Sequence, residues 1–221
     1  VLRVREGERV AVFDGAGNEF MCTAATVDKR ATRLTVQQQN RIEPLPYHIT
    51  LLQAMTKGKS MDFIIQKATE LGAHRVVPVL SERSVPDWDE AKATAKVEKW
   101  RSVCIESIKQ CGSAWLPTLE MPMTPSAAIE DARGAEVSLI ATLQSDAKHP
   151  RTHIDGYEAE NGQAPKKLAI WVGPEGDYTP AEINQIRGSA LPITLGPLVL
   201  RSETAAIYCL AFLNYELQSR P

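Results

Sequence analysis

Leu168-Ala169-Ile170-Trp171-Val172-Gly173-Pro174-Glu175-Gly176 is an unbroken apolar run that ends in a glycine-proline turn. Such a run, bounded by turn residues, predicts a buried strand. A second stretch, Leu195-Gly196-Pro197-Leu198-Val199-Leu200-Arg201-Ser202-Glu203-Thr204-Ala205, repeats the pattern before the last helical segment. In open α/β sheets ligands collect in the crevice beyond the strand ends, so two such lips point to one pocket.

Outward from that strand, the chain from Tyr47 alternates strands and helices. Ile49 to Ala54, Arg75 to Leu80, Val137 to Leu143 and Leu191 to Leu195 read as strands. Met61, Ile64, Ile65, Ala68 and Leu71 recur at helical spacing, and Gly72 is a natural stop. A long helix is expected from Asp89 to Gln110, ending at Gly112, and a last one from Glu203 to Gln218. Thr124-Pro125 supplies a cap and a first-turn proline for a short helix, and Thr179-Pro180 with Glu182 is a capping-box pattern. Residues 144–167, polar and containing Gly and Pro, read as an extended loop. The alternation implies a mostly parallel sheet covered by helices.

Residues before Pro44 differ. Val10, Val12 and Phe13 lead into Asp14-Gly15-Ala16-Gly17-Asn18, then a run from Glu19 to Val27, then Leu34-Thr35-Val36. That is a β-meander with a glycine-containing hairpin. A boundary at residues 43–47 gives a small β-domain, 1–43, and an α/β domain, 47–221. Val1 already lies in strand-like sequence, so a leading segment is expected upstream.

Of 221 residues 43% are hydrophobic and 24% charged, with a net charge of −2, so no global basic field advertises nucleic acid. Residues 1–42 carry seven basic and five acidic side chains, an excess that a solvated surface would also show. Cys22, Cys104, Cys111 and Cys209 are scattered without a C-x-x-C pair and read as reduced thiols of a cytoplasmic protein. No apolar run is long enough for a membrane span. His149 and His153 have the spacing of a zinc pair, but Pro150 argues against a helix there, so no metal is expected.

Each motif has a plain reading and a functional one. Gly173 to Gly176 is a tight turn in which glycine supplies positive φ, or a loop whose backbone approaches a ligand. It is neither a Walker loop nor a G-x-G-x-x-G fingerprint, which disfavours an ordinary nucleoside triphosphatase. Arg201-Ser202-Glu203-Thr204 reads as a helix start with a serine cap. Arg201 is a cation at the wrong pole of that helix and is suited to hold negative charge. Lys57-Gly58-Lys59 and Glu82-Arg83-Ser84-Val85 are basic turns after strands, and Trp100 and Trp115 read as core or interface.

Together these segments resemble the RsmE family of 16S ribosomal RNA uridine-N3 methyltransferases, within the SPOUT superfamily. The matching stretches are Lys57 to Gly72 with Gln66-Lys67-Ala68-Thr69-Glu70-Leu71-Gly72, Ser81 to Val85, Trp100 to Gln110, Gly173 to Gly176 and Leu195 to Ala205. Asp177 stands where the family often has glycine, and Gln110 to Ala114 lacks its usual arginine. The resemblance implies a knotted parallel sheet with flanking helices, its C-terminal segment in a trefoil knot, plus a PUA-like RNA-binding domain at the N-terminus. It implies S-adenosylmethionine bound at Thr142, Leu143, Gln144, Gly173, Pro174, Glu175, Gly176, Leu195, Gly196, Leu198, Val199, Leu200, Thr204 and Ala205. It also implies a homodimer acting on 16S rRNA of the small ribosomal subunit. Uridine N3 must lose a proton before it attacks, and a nearby cation favours that loss. Arg201 is the candidate for this role, with Glu203 as base or orienting group. Arg3, Arg5, Arg9, Lys57, Lys59 and Arg83 are candidate phosphate contacts. Two alternatives stay open: a SPOUT enzyme acting on a tRNA base or ribose, and a non-catalytic RNA-binding ribosome-assembly factor.

Overall fold

A computed structural model describes residues 4–57, 59–84 and 90–220. The chain falls into two compact units, Val1–Pro44 with Ile108–Leu116, and Leu45–Ser107 with Pro117–Pro221.

The first unit is built on an antiparallel sheet of order β1-β2-β3, with β1 at Arg9–Phe13, β2 at Asn18–Val27 and β3 at Thr32–Arg41. Asp14 Oδ1 shapes the first hairpin by accepting the N–H groups of Ala16 and Asn18 at 2.7 and 3.1 Å. Gly17 adopts φ +91°, and a Cβ there would lie 2.4 Å from the Trp115 ring. Trp115 is fixed in turn by its Nε1 donation to Ile42 O at 3.0 Å and by the Arg41 guanidinium 4.8 Å from its ring centroid. Ile108–Leu116 therefore belongs to this unit, although nothing in its own pattern advertised the attachment.

The second unit carries a six-stranded sheet of order β6-β5-β4-β8-β7-β9 with every pairing parallel. Its strands are β4 (His48–Ala54), β5 (Arg75–Val79), β6 (Thr118–Leu119), β7 (Val137–Ala141), β8 (Lys167–Val172) and β9 (Leu191–Ile193). The helices are α1 (Ser60–Glu70), α2 (Glu90–Cys111), α3 (Pro125–Asp131), α4 (Pro150–Asn161), α5 (Pro180–Arg187) and α6 (Ser202–Gln218). Alternate strand residues Leu52, Ala54, Val77, Val79, Ala169 and Trp171 pack with Ala128 of α3 and with Ile183 and Ile186 of α5. The opposite pleat carries Gln53, which reaches Ser202 of α6. Helices thus cover both faces, which is why β4, β5 and β8 read as nearly continuous apolar runs.

Thr179 Oγ1 accepts from Glu182 N while Glu182 Oε2 accepts from Thr179 N, completing the capping box of α5. Thr124 caps α3 as its sequence predicts. Residues 144–167 are not an extended loop, because α4 fills their centre. Pro150 is the first residue of that helix, where its missing N–H costs nothing. His149 caps it, with Nδ1 accepting from Arg151 N, and Gly162 closes it at φ +72°. His153 contacts Pro192 O at 3.2 Å. Strands β7 and β9 end at Ala141 and Ile193, two residues earlier than expected, and the released residues turn into the crevice described below. Cys22, Cys104 and Cys209 are buried free thiols, and burial pushes Cys209 up to about 12. Among the described residues no helix is long and apolar enough to cross a membrane.

Candidate active site

The carboxyl ends of β7, β8 and β9 open onto a crevice of about 310 Å³. Thr142, Leu143 and Gln144 follow β7, Gly173, Pro174 and Glu175 follow β8, and Thr194 to Leu200 follow β9. Ser202 and Ala205 of α6, with Ala141, Val172 and Asp177, complete the lining. Leu143, Leu198 and Val199 are 65, 73 and 77% exposed, so an apolar surface faces the opening. The backbone N–H groups of Leu198, Val199 and Leu200 make no hydrogen bond to any described residue. Three consecutive free donors beside apolar side chains suit a flat heteroaromatic ring with acceptor edges.

Each lip has its own local cause. Gly196 takes φ +108° and its N–H donates to Thr194 Oγ1 at 3.2 Å, a turn open mainly to glycine. The turn after β8 works differently from its reading in sequence: neither Gly173 nor Gly176 has a positive φ. A Cβ on Gly173 would meet Asp177 Oδ1 at 2.8 Å, so a larger residue there would displace the Asp177 carboxylate. The left-handed residue is Asp177, at φ 58°, whose Oδ1 accepts from Tyr178 N at 2.8 Å. Asp and Asn tolerate that conformation better than other side chains do. Tyr178 is buried under the turn and donates to Val172 O at 3.3 Å. Burial raises its pKa, so it stays a neutral donor.

Neighbouring loops hold this turn in place. Lys57 N donates to Glu175 Oε1 at 3.3 Å, and Arg83 Nη1 donates to Gly176 O at 2.7 Å. Glu82 N donates to Glu182 Oε1 at 2.8 Å, tying the turn after β5 to the first turn of α5.

Residues 43–214 match the RNA methyltransferase domain family, and residues 1–36 match the RNA methyltransferase PUA domain. The chain belongs to this RNA methyltransferase family. It is 29% identical over 222 residues to the ribosomal RNA small subunit methyltransferase E of Bacillus subtilis, covering 99% of this chain and 86% of that one. A methyltransferase of Legionella pneumophila, solved in complex with the cofactor SAM, has a TM-score of 0.87 at 30% identity, covering 97% of this chain and 85% of the other. The ribosomal RNA small subunit methyltransferase E of Neisseria gonorrhoeae, solved with S-adenosyl methionine, has a TM-score of 0.83 at 26% identity, with 97% and 85% covered.

In this methyltransferase twelve of the fourteen cofactor-site residues expected from sequence line the crevice. Gly176 lies in the same turn outside the lining, and Thr204 is exposed on α6, also outside it. Sequence reasoning singled out neither Asp177 nor Thr194 as a site residue, although both line it. Arg201 is the N-cap residue of α6, its carbonyl accepting from Ala205 N at 2.8 Å, and its exposed side chain makes no hydrogen bond or ion pair to any described residue. Glu203 follows in the first helical turn, half-buried. Ser202 is not the cap; its hydroxyl donates instead to Gly173 O at 2.6 Å. Of the candidate RNA contacts, Arg5 and Arg9 are exposed in the first unit, and Lys57, Lys59 and Arg83 are exposed in the second. Arg3, Gly58 and Val85 lie outside the described residues.

Proposed function

We propose that the chain transfers a methyl group from S-adenosylmethionine to N3 of a uridine in 16S ribosomal RNA of the small ribosomal subunit. The observation that carries this reading is the convergence of residues 142–144, 173–175 and 194–200 on one crevice in a member of the RNA methyltransferase family. The residues fit the cofactor. The volume falls in the usual range for ligand pockets, roughly 300–1,000 Å³. The free amides of Leu198 to Leu200 offer donors to an adenine edge, and the apolar side chains offer it a surface. When bound, S-adenosylmethionine supplies the electrophilic methyl group on its sulfonium.

The chain's own part is to position and to move one proton. Arg201 faces the uracil carbonyls as an unneutralised cation and favours the ring that has lost its N3 proton. Glu203 accepts that proton or orients Arg201. Arg3, Arg5, Arg9, Lys57, Lys59 and Arg83 contact phosphates, residues 1–43 act as the RNA-binding domain, and residues 47–221 act as the catalytic domain. The match of residues 1–36 to an RNA methyltransferase PUA domain supports the first assignment.

A trefoil knot in the C-terminal segment is part of the proposal. Its support is the path from β9, at the sheet edge, back to α6, which packs on the interior strands β4 and β8. So is a homodimer, supported by Tyr208 and Tyr215, exposed seven residues apart on one face of α6. A ribosomal RNA substrate makes the cytoplasm the place of action.

The test incubates the protein and labelled S-adenosylmethionine with small ribosomal subunits and identifies the modified nucleoside by mass spectrometry. 3-Methyluridine is expected. Label in a ribose or another base would replace the proposed substrate atom. Cofactor binding without transfer, together with RNA capture, would favour a non-catalytic assembly factor.

A further inference from the structure

Gln53 is fully buried near the end of β4, in register with Val172 of β8, one residue before the crevice lip. Its side-chain amide donates to Ala54 O and to Ser202 Oγ, each at 2.9 Å. Ser202 Oγ donates onward to Gly173 O at 2.6 Å. The direction of this relay is fixed: a hydroxyl has one proton, and Gly173 O takes it, so Ser202 accepts from the amide. With the amide reversed, its oxygen would face the Ala54 carbonyl and an oxygen with no proton to give. The end of β4, the residue after β8 and the first residue of α6 therefore meet at one hydroxyl.

The arrangement has a cost. Gln53 Oε1 is buried and has no hydrogen-bond partner among the described residues. An orphaned acceptor of this kind ordinarily destabilises a protein, and a leucine of similar size would avoid it. Arg201 immediately precedes Ser202 and its side chain has no partner among the described residues, so its direction depends on the backbone that Ser202 pins.

We propose that Gln53 is a positioning residue for methyl transfer: through Ser202 it locks the start of α6, and with it Arg201, to the Gly173 carbonyl at the lip of the crevice. The role of Arg201 rests on the function proposed above. The lock does not, and it is measured separately.

The experiment compares wild type with Gln53→Leu, Gln53→Glu and Ser202→Ala. Hydrogen–deuterium exchange of the unliganded proteins reads the lock. In Gln53→Leu, the hydrogen-bonded amides of residues 205–208, at the start of α6, should exchange at least threefold faster, while Tm stays level or rises. Unchanged exchange there, or a Tm fall that accelerates exchange throughout the chain, overturns the proposal whether or not the protein methylates RNA. Turnover reads the consequence. Gln53→Leu should lose about 10²-fold in kcat, as expected for a reacting group misplaced by an ångström. Its affinity for S-adenosylmethionine should move less than threefold.

Ser202→Ala should lose a similar factor, and the double variant no more than either single, because both break one relay. Gln53→Glu should be active at low pH, where a protonated carboxyl can still donate to Ser202. Its activity should fall with rising pH as that proton leaves, in a range where wild type holds steady. Additive losses, equal losses in affinity and kcat, or a pH profile of Gln53→Glu parallel to that of wild type would each refute the positioning role. Faster exchange in residues 205–208 with wild-type protein unable to methylate would instead keep the lock and reject the proposed function.

Discussion

The two ends of α6 hold arginines in opposite circumstances. At the N-terminal end Arg201 sits at the positive pole of the helix dipole, exposed, its guanidinium without a partner among the described residues. At the C-terminal end Arg220 is at the favourable pole and is saturated. It bonds Asp155 at 2.6 Å, Glu216 at 3.2 Å and also Glu158. Glu216 is buried and also takes Arg151, at 3.1 Å through Nε. Those ion pairs hold α4 to α6. The same residue type is thus a fastener at one end and an unneutralised charge at the other. An unsatisfied cation held at an unfavourable pole marks a place where negative charge is expected to arrive.

Arg201→Ala is the sharpest way to break this comparison. Removing one preorganised cationic partner of a developing negative charge should lower kcat by on the order of 10²–10³. Affinity for S-adenosylmethionine, measured by calorimetry, should change less than threefold, and Tm should hold. Proportional losses in affinity and kcat would make Arg201 a cofactor residue and erase the contrast.

The mirror-image change is Glu216→Gln. It should leave turnover alone and cost roughly 1–2 kcal/mol, about 2–8 °C in Tm for a chain of this size. Hydrogen bonds from Arg151 hold the Glu216 carboxyl below its ordinary range. A group whose folded pKa is depressed contributes fully above its unfolded pKa, about 4.3 for glutamate, and loses that contribution as pH falls through the folded value. Wild-type Tm should therefore drop more steeply than that of Glu216→Gln on acidification below about pH 4.3. Parallel curves would show that the fastener contributes nothing.

Much of this contrast was legible in sequence, and the missing parts have physical reasons. The apolar run 168–172 and the turns on either side of the crevice declared themselves, because a buried strand and its breakers are local patterns. The wrong pole of Arg201 was also readable. α4 was missed because Pro150, a breaker inside a helix, is a starter at its first position, and His149 is an uncommon cap. Ser202 was misread as a cap because its real partners, Gly173 and Gln53, are 29 and 149 residues away. The attachment of Ile108–Leu116 to the first unit was invisible for the same reason. Only the folded chain puts the Trp115 ring where Gly17 has no Cβ.

Arg83 tests an intermediate case: a cation near the crevice that does have a partner, the Gly176 carbonyl. If it supports the turn after β8, Arg83→Ala should weaken S-adenosylmethionine binding without RNA by about fivefold, the worth of roughly one ordinary hydrogen bond. If it also meets phosphate, the variant should show a shallower salt dependence of RNA binding. A change in the salt slope alone would place Arg83 with the phosphate contacts and outside the crevice's support.

The smallest effect tests whether strain, too, is confined to the functional end. Asp177 is the one non-glycine residue with positive φ among the described residues, and it lies on the crevice lip. Its side chain offsets the strain by accepting from Tyr178 N at 2.8 Å. Alanine keeps the Cβ that disfavours the left-handed region and loses the acceptor, so Asp177→Ala should cost about 1 kcal/mol, roughly 2–4 °C in Tm. Asparagine keeps an acceptor oxygen and tolerates the conformation, so Asp177→Asn should stay within about 1 °C of wild type. Glycine trades the acceptor for relief of strain and should fall between them. The ranking matters more than the size of the shifts, because it separates the two causes. If glycine proved as poor as alanine, the Tyr178 bond would be what holds the lip. If glycine exceeded wild type, the turn would be strained, and the chain would tolerate at the crevice a conformation that none of the ion-paired residues Arg151, Asp155, Glu158, Glu216 and Arg220 adopts.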